Sequence, residues 1–415
     1  MGKAKESWAQ FLGRIRINSG SATAVVDRFG EHLLESGYAL TTAKCLLRLV
    51  ANFGLWLSDH DLEMQAVGLG CLERFLADRC RQGRSEQSAA ANLRDFLAFL
   101  RDQGAIPPLA PGIPLPIDVA EQSYGMYLAQ ERGLGACALA NYLPIVRRFL
   151  AWRFKDGLLL FGELRATNVH GFLAQEAKHY APCRVKLAVT AMRSFLKWLY
   201  VCGEISARLD QAIPTVPGWH HTALPKAIES HEIEHMLRSC RHQTTVERRD
   251  YAILLLLARL GLRAHEVVVM TLDDIEWDTP AIIVHGKGGR QDRLPLPHDV
   301  GAAIATYLRA GRPRCSTRAL FIRSKAPLRG FANSIAISTI VHRALVRAEL
   351  HPARTGAHAL RHGLACSMLD HGATLPEIGE ILRHRSLDTT GIYAKVDLKA
   401  LAPLAQEWPL ARGGA

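Results

Sequence analysis

Residues 389–397 read TTGIYAKVD, and the tyrosine in that stretch, Tyr393, is either a core residue or a nucleophile. Residues able to handle charge and protons stand upstream of it. Arg263 follows a tight Leu-Gly-Leu in LARLGLRAHEVV, with Glu266 three residues on, where a carboxylate can brace the guanidinium. His358 and Arg361 share a helical pattern in AHALRHGLACSML, one step around from the apolar stripe Ala357, Leu360, Leu364 and Met368, which predicts both at the edge of a buried face. His384 lies in LRHRS, and Tyr393 follows it beside Ile392 and Val396, which would anchor its helix. Guanidinium groups stay protonated and grip oxyanions with paired hydrogen bonds, while histidine and tyrosine exchange protons. Singly, each has a plainer reading as a surface arginine, a helix histidine or a core tyrosine.

A second constellation has a different chemistry. SHEIEHML contains His231-Glu232-x-x-His235, the spelling of a zinc-protease helix in which two histidines one turn apart hold the metal and the glutamate acts as general base. The pattern is short, no third ligand is evident, and it follows Ser230, a good N-cap. Glu232 and Glu234 then read as first-turn acids facing the helix dipole. The expectation is a plain helix start, with no metal and no cofactor.

The 415 residues carry 51 Lys plus Arg against 39 Asp plus Glu, a formal charge of +12, which is the footprint of a nucleic-acid partner. A chain of this length predicts two or three compact units. Nine cysteines occur with no C-x-x-C pair, mostly inside apolar helical patterns such as AKCLLRLV around Cys45, and read as reduced core thiols. MGKAKESWAQ has no apolar leader core, and the longest greasy run, AILLLLARLGL, is short for a bilayer and contains Arg259. The expectation is a soluble, cytoplasmic protein with no membrane partner.

The elements that must position these residues show an internal repeat, offset by about 96 residues. Phe29-Gly30 with Leu33 meets Tyr124-Gly125 with Leu128; Phe53 and Trp56 meet Phe149 and Trp152; Phe75-Leu76 meets Phe172-Leu173; FLAFLRDQGAI (96–106) meets FLKWLYVCGEI (195–205). Apolar residues recur at helical spacing, so each copy reads as a small helical bundle. PPLAPGIPLP (107–116) and IPTVPGWHHTALP (213–225) read as linkers. The expected division is a basic arm (1–20), a first repeat (21–106), a second repeat (117–207) and a C-terminal unit (226–415). The first repeat is net acidic, whereas the second repeat and C-terminal unit are net basic. Arg147, Arg148, Arg184, Lys186, Arg193 and Lys197 in the second repeat are candidates for phosphate contacts, joined by Arg290. In the C-terminal unit, AIIVHGKGGRQDRLPLP predicts a β-hairpin with Lys287 at its bend, and Thr374-x-x-Glu377 a capping box opening a helix that buries Ile378, Ile381 and Leu382. The fold class expected is mainly α with a small β-hairpin or sheet near the C-terminus.

Taken together, LGLRAHEV, HGKGGR, HALRHG and LRHRSLDTTGIYAKV, over roughly 227–397, resemble the catalytic domain of the tyrosine recombinases, the phage-integrase family. One departure is Arg383, where the family commonly has glycine before the histidine; a less tight backbone is expected there. The resemblance implies a mixed α/β catalytic domain preceded by a helical core-binding domain, the place of the second repeat, closing as a clamp on duplex DNA. The first repeat is extra, an arm-type DNA-binding or oligomerisation module, its acidity favouring the latter.

Implied too are the catalytic roles: Tyr393 as nucleophile forming a covalent 3′-phosphotyrosyl bond, Arg263 and Arg361 clamping the phosphate, and Lys287 protonating the departing 5′ oxygen. His358 would help activate the tyrosine, and His384 would bond a nonbridging oxygen. Only roughly one tyrosine in a thousand is ionised at neutral pH, so activation is needed. The implied partners are double-stranded DNA with inverted-repeat sites and three further copies in a homo-tetramer, with room for accessory recombinases or DNA-bending proteins; segment 398–410 is amphipathic enough to dock in trans or in cis. Alternatives are a type IB topoisomerase and a DNA-binding regulator that has lost catalysis.

Overall fold

The computed structural model describes residues 8–17, 19–63, 67–83, 87–108, 114–155, 157–215, 227–286, 289–384 and 386–396. It is mainly helical with one three-stranded antiparallel sheet. Two compact units are present: Leu109–His220 forms one, and Met1–Pro108 together with His221–Ala415 forms the other.

Helices α1 (Trp8–Ile17), α2 (Thr23–Glu35), α3 (Leu40–Asp59), α4 (Leu69–Arg81) and α5 (Gln87–Asp102) make the first bundle. The expected separate arm is corrected here, because α1 buries Phe11 and Ile15 in the same core as α2 to α5. α3 buries Leu46, Leu47, Val50, Phe53, Gly54 and Leu57 at helical spacing. A Cβ on Gly54 would lie 2.0 Å from the Ser19 carbonyl oxygen, so only glycine lets that chain segment cross so close. The second bundle consists of α6 (Pro116–Met126), α7 (Ala136–Arg153), α8 (Ala166–His179) and α9 (Pro182–Val201).

The two bundles repeat the same aromatic contacts. Phe29 meets Phe96 edge-on at 4.9 Å and Tyr124 meets Phe195 at 5.1 Å. Phe53 meets Phe75 at 5.0 Å, and Phe149 meets Phe172 at 5.3 Å. Edge-to-face pairs add to the stability that ring burial gives. The sequence repeat is thus a repeat of core geometry.

The remaining elements build on α10 (Ser230–Arg238), α11 (Thr245–Arg259) and α12 (Ala264–Val269), followed by strands β1 (Ile275–Glu276), β2 (Ala281–His285) and β3 (Gln291–Pro295). α13 (His298–Ala310), α14 (Ser334–Arg347), α15 (Ala357–Asp370), α16 (Leu375–Ile381), α17 (Leu387–Thr390) and a 3-10 turn, Gly391–Val396, complete it. α11 is buried from Ala252 through Ala258 because α13, α14 and α15 pack around it. Its start is fixed by a capping box: Thr244 Oγ1 accepts the Glu247 N–H, and Glu247 Oε2 accepts the Thr244 N–H at 2.9 Å. β2 and β3 pair with Ala281 opposite Pro295 and His285 opposite Gln291, and the Gly286 N–H donates to the Arg290 carbonyl across the hairpin end.

In the discontinuous unit, the first bundle touches the segment before α14. The Leu328 N–H donates to the Ser36 carbonyl at 2.8 Å, and Arg323 and Arg329 share a groove with Tyr38, Asp95 and Asp102.

Two expectations about burial need correction. Cys45, Cys80, Cys137, Cys183 and Cys202 are exposed free thiols and only Cys240 is buried, because each exposed one lies off its helix's apolar stripe or at a helix end. Ile381 is 46% exposed while Ile378 and Leu382 are fully buried; the short α16 turns only one narrow face inward. Among the described residues no helix is long and apolar enough to cross a membrane.

Candidate active site

The site is organised by the turn that ends α16. Thr374 Oγ1 and Glu377 form the expected capping box, with the Thr374 N–H donating to Glu377 Oε2 at 2.7 Å. At the other end the Arg383 N–H donates to the Glu380 carbonyl and the His384 N–H to the Gly379 carbonyl, at 2.9 and 2.8 Å. This double closure requires a left-handed residue, the usual place of glycine, and Arg383 takes it with φ at 57°. The expected loosening is corrected: the arginine adopts the tight turn and does not relax it.

Two consecutive carbonyls leave this turn toward two arginines. The Leu382 carbonyl accepts from Arg361 Nη2, and the Arg383 carbonyl from Arg263 Nη2 at 3.2 Å. Arg361 Nη1 donates to the carbonyl of Gly261, itself left-handed with φ at 57°, where a Cβ would fall 2.7 Å from Leu382 Cδ2. Arg361 is therefore fully buried at 1% exposure, not at the edge its helical position predicts. Burial, then the nearby Arg263 and Arg383, bring its pKa down to about 10, so it remains a cation at neutral pH.

Glu266 ties the arginines together. Its Oε1 accepts from Arg263 Nη1 at 2.7 Å, and its Oε2 accepts both the Arg263 N–H at 2.8 Å and Arg383 Nη2 at 2.9 Å. The brace expected from the spacing is present, with a second arginine added to it. Burial alone would raise this carboxyl; the Arg263 N–H and the Arg383 and Arg263 guanidinium groups overrule it and hold it below the usual range.

Tyr393 is 1% exposed and packs with Ala365, Leu369, Ile378 and Leu382. Its hydroxyl lies 2.7 Å from Nδ1 of His362, a residue the sequence patterns did not single out. His358, the expected activating histidine, is exposed and stacks edge-on against His362 at 4.3 Å. Burial, and then His358, press His362 down to about 4, so it is neutral; with its proton on Nε2, the phenol donates to Nδ1. Burial pushes Tyr393 up to about 12, and Arg361 opposes that rise. His384 is also held near 4, by burial and then by Arg361, and its Nδ1 lies 2.7 Å from Thr390 Oγ1. If Thr390 donates to Nδ1, His384 keeps an Nε2–H to offer an anion.

Arg263, His358 and Arg361 line one cavity of about 290 Å³ with Ser338 and Gly356. Lys287 lies outside the described residues, as does segment 398–410. Of the candidate phosphate contacts, Arg147 pairs with Asp118 and Glu121, Arg148 with Glu176, and Arg290 with Asp292. Arg193 donates to the Ile213 carbonyl at 2.7 Å, and Arg184 lies over the Tyr180 ring. Lys186 and Lys197 sit on α9. In HEIEH, Glu232 caps its own helix by accepting the Glu229 N–H at 3.1 Å, so the N-cap is Glu229 and not Ser230. Among the described residues no group of three or more His, Cys, Asp or Glu side chains could hold a metal ion.

A cavity lined by two arginines in a mainly helical unit with a three-stranded sheet, and a buried tyrosine on a short 3-10 turn after α17, match the arrangement that the resemblance to the tyrosine recombinases implies. Comparison with known proteins agrees. The phage integrase family model matches residues 226–399. A Sinorhizobium fredii protein described as an integrase/recombinase, y4rA, is 41% identical over 399 residues, covering 95% of this chain and 96% of its own. The tyrosine recombinase XerC of Lacticaseibacillus casei is 26% identical over 284 residues, 66% of this chain and 93% of that one. The XerH site-specific recombinase bound to palindromic difH substrate, in a post-cleavage complex, shares the fold with a TM-score of 0.55 at 19% identity, over 70% of this chain and 85% of that chain. The chain belongs to the phage integrase family, the tyrosine-type site-specific recombinases.

Proposed function

We propose that this recombinase cuts one strand of duplex DNA by attack of the Tyr393 oxygen on a phosphodiester and rejoins strands by the reverse reaction. The observation that carries the reading is the convergence of Arg263 and Arg361 on one cavity, each held by a carbonyl of the turn at Leu382 and Arg383. Two fixed guanidinium groups neutralise the charge that builds on the nonbridging oxygens. The new bond joins the tyrosine to a 3′ phosphate, the P–O5′ bond breaks, and the phenolic proton passes to His362, whose Nδ1 already faces it. The negative phosphate arriving beside Arg361 raises the proton affinity of that imidazole. The resemblance assigns the proton for the 5′ oxygen to Lys287, and His384 bonds a nonbridging oxygen through Nε2.

The phosphotyrosyl bond conserves the energy of the broken linkage, and arginines do the work a cation would do, so neither ATP nor a divalent metal is needed. The second helical repeat contacts the core site, and strand exchange runs in a homo-tetramer on paired inverted repeats. A nicked suicide duplex, chosen by the protein from a random-sequence pool, tests this: wild type becomes trapped as a covalent species on a denaturing gel, in excess EDTA as well as without it. Peptide mapping places the adduct on residues 389–397. Loss of the adduct in chelator with rescue by zinc would instead revive the HEIEH motif.

A further inference from the structure

We propose that Arg383, standing where the family commonly has glycine, is a positioning residue that fixes Arg263 through Glu266 and adds a cation beneath the phosphate-binding cavity. It acts on Arg263 twice. Its side chain holds Glu266 Oε2, whose carboxylate orients the Arg263 guanidinium and backbone, and its carbonyl accepts from Arg263 Nη2. Its guanidinium is buried, with 4% of the side chain exposed, and Nη1 is satisfied by the Ile381 carbonyl at 3.2 Å. A left-handed backbone and a buried guanidinium both cost free energy, which the pairing with Glu266 offsets.

The electrostatic consequence follows from sharing. Without Arg383, Glu266 would cancel the charge of Arg263 alone. With it, two arginines share one carboxylate, and Arg263 keeps more of its charge for an oxyanion. The left-handed turn needs no side chain, so Arg383→Gly keeps the backbone and removes only the cation.

The inference rests on the recombinase reading, and the test separates the two. Full-length variants are assayed in single turnover, at saturating protein, on the nicked duplex and on the same duplex with a neutral methylphosphonate at the scissile position. Arg383→Gly should bind DNA within about twofold of wild type yet form adduct about ten- to a hundredfold more slowly, as expected for a displaced catalytic group. Arg383→Lys should recover part of the rate, and Arg383→Asn, which also tolerates the left-handed turn, should behave like the glycine variant. On the methylphosphonate the deficit should shrink toward one, since the charge that Arg263 meets is gone. A glycine variant as fast as wild type, or an equal deficit on both substrates, would overturn the proposal. A wild-type protein that forms no adduct would instead sink the recombinase reading, and this one with it.

Discussion

Arg361 and Tyr393 are equally buried, yet their surroundings differ in kind. Arg361 has both terminal nitrogens committed to carbonyls at two left-handed turns, next to the large core around α11. Among the described residues the Tyr393 side chain has one hydrogen bond, to His362, and Tyr393 sits on a six-residue 3-10 turn after the four-residue α17, over a small satellite core. Removing the arginine anchors would disturb many packed groups, whereas lifting the tyrosine costs one hydrogen bond and modest apolar contact. On the proposed mechanism the arginine half is held in place without DNA, and the tyrosine half is the part that would have to open to expose its oxygen.

Breaking the tyrosine half should have the largest effect on chemistry and a small one on folding. Tyr393→Phe should abolish the covalent adduct on the suicide duplex while lowering stability by only about 1 kcal/mol in denaturant titrations, the worth of one hydrogen bond. An adduct of wild-type intensity would mean another residue attacks.

On the arginine half, Arg263→Ala and Arg361→Ala should each slow adduct formation by about 10²–10³. Their stabilities should diverge. Arg361→Ala strands two buried carbonyls and should cost roughly 2–4 kcal/mol, while Arg263, with 42% of its side chain exposed, should cost far less because Arg383 still pairs Glu266. Equal stability losses would erase the contrast between a buried and a half-open arginine.

A finer test asks which histidine serves the nucleophile. His362→Ala should slow cleavage by about 10², with His358→Ala affecting it less, since only His362 reaches the phenol. The reverse order, read from single-turnover rates, would restore the role the spacing first suggested for His358.

The smallest effect concerns pH. His362 and His384 are held near 4 in the folded chain against 6.5 when free, so the unfolded chain binds more protons as pH falls from about 6.5 toward 4. Stability should decline through that window, on the order of 1 kcal/mol. His362→Asn should flatten the decline, and thermal melts at pH 7.5 and 5 would show it.

Much of this was legible in the sequence for a physical reason. Aromatic anchors keep their order because edge-to-face contacts depend on ring position, so the offset between Phe53 and Phe149 reports the same core arrangement in each of two separate bundles. Arg263 with Glu266 is local in sequence and was readable from spacing. His362 was not: it lies beside Arg361 on α15, and only the return of the chain at residue 393 gives it a partner. Thr390 under His384 depends on the same return. Arg383 could be flagged as a departure, but neither its left-handed backbone nor its pairing with Glu266 follows from composition. Charge counting also could not see that Arg147 and Arg148 meet Asp118, Glu121 and Glu176 from other helices.

The hydrogen bond between Ser36 and Leu328 joins segments that a ribosome makes at widely separated times, with the whole second bundle synthesised between them. The first bundle has its own core and can fold as soon as it emerges. It must then wait, exposed, until the segment before α14 is available. The entropy of closing so long a loop grows only with the logarithm of its length, so the delay is a matter of timing more than of stability. During that interval the groove around Tyr38 and Asp95 faces solvent, and nascent chains stalled before residue 323 carry it open.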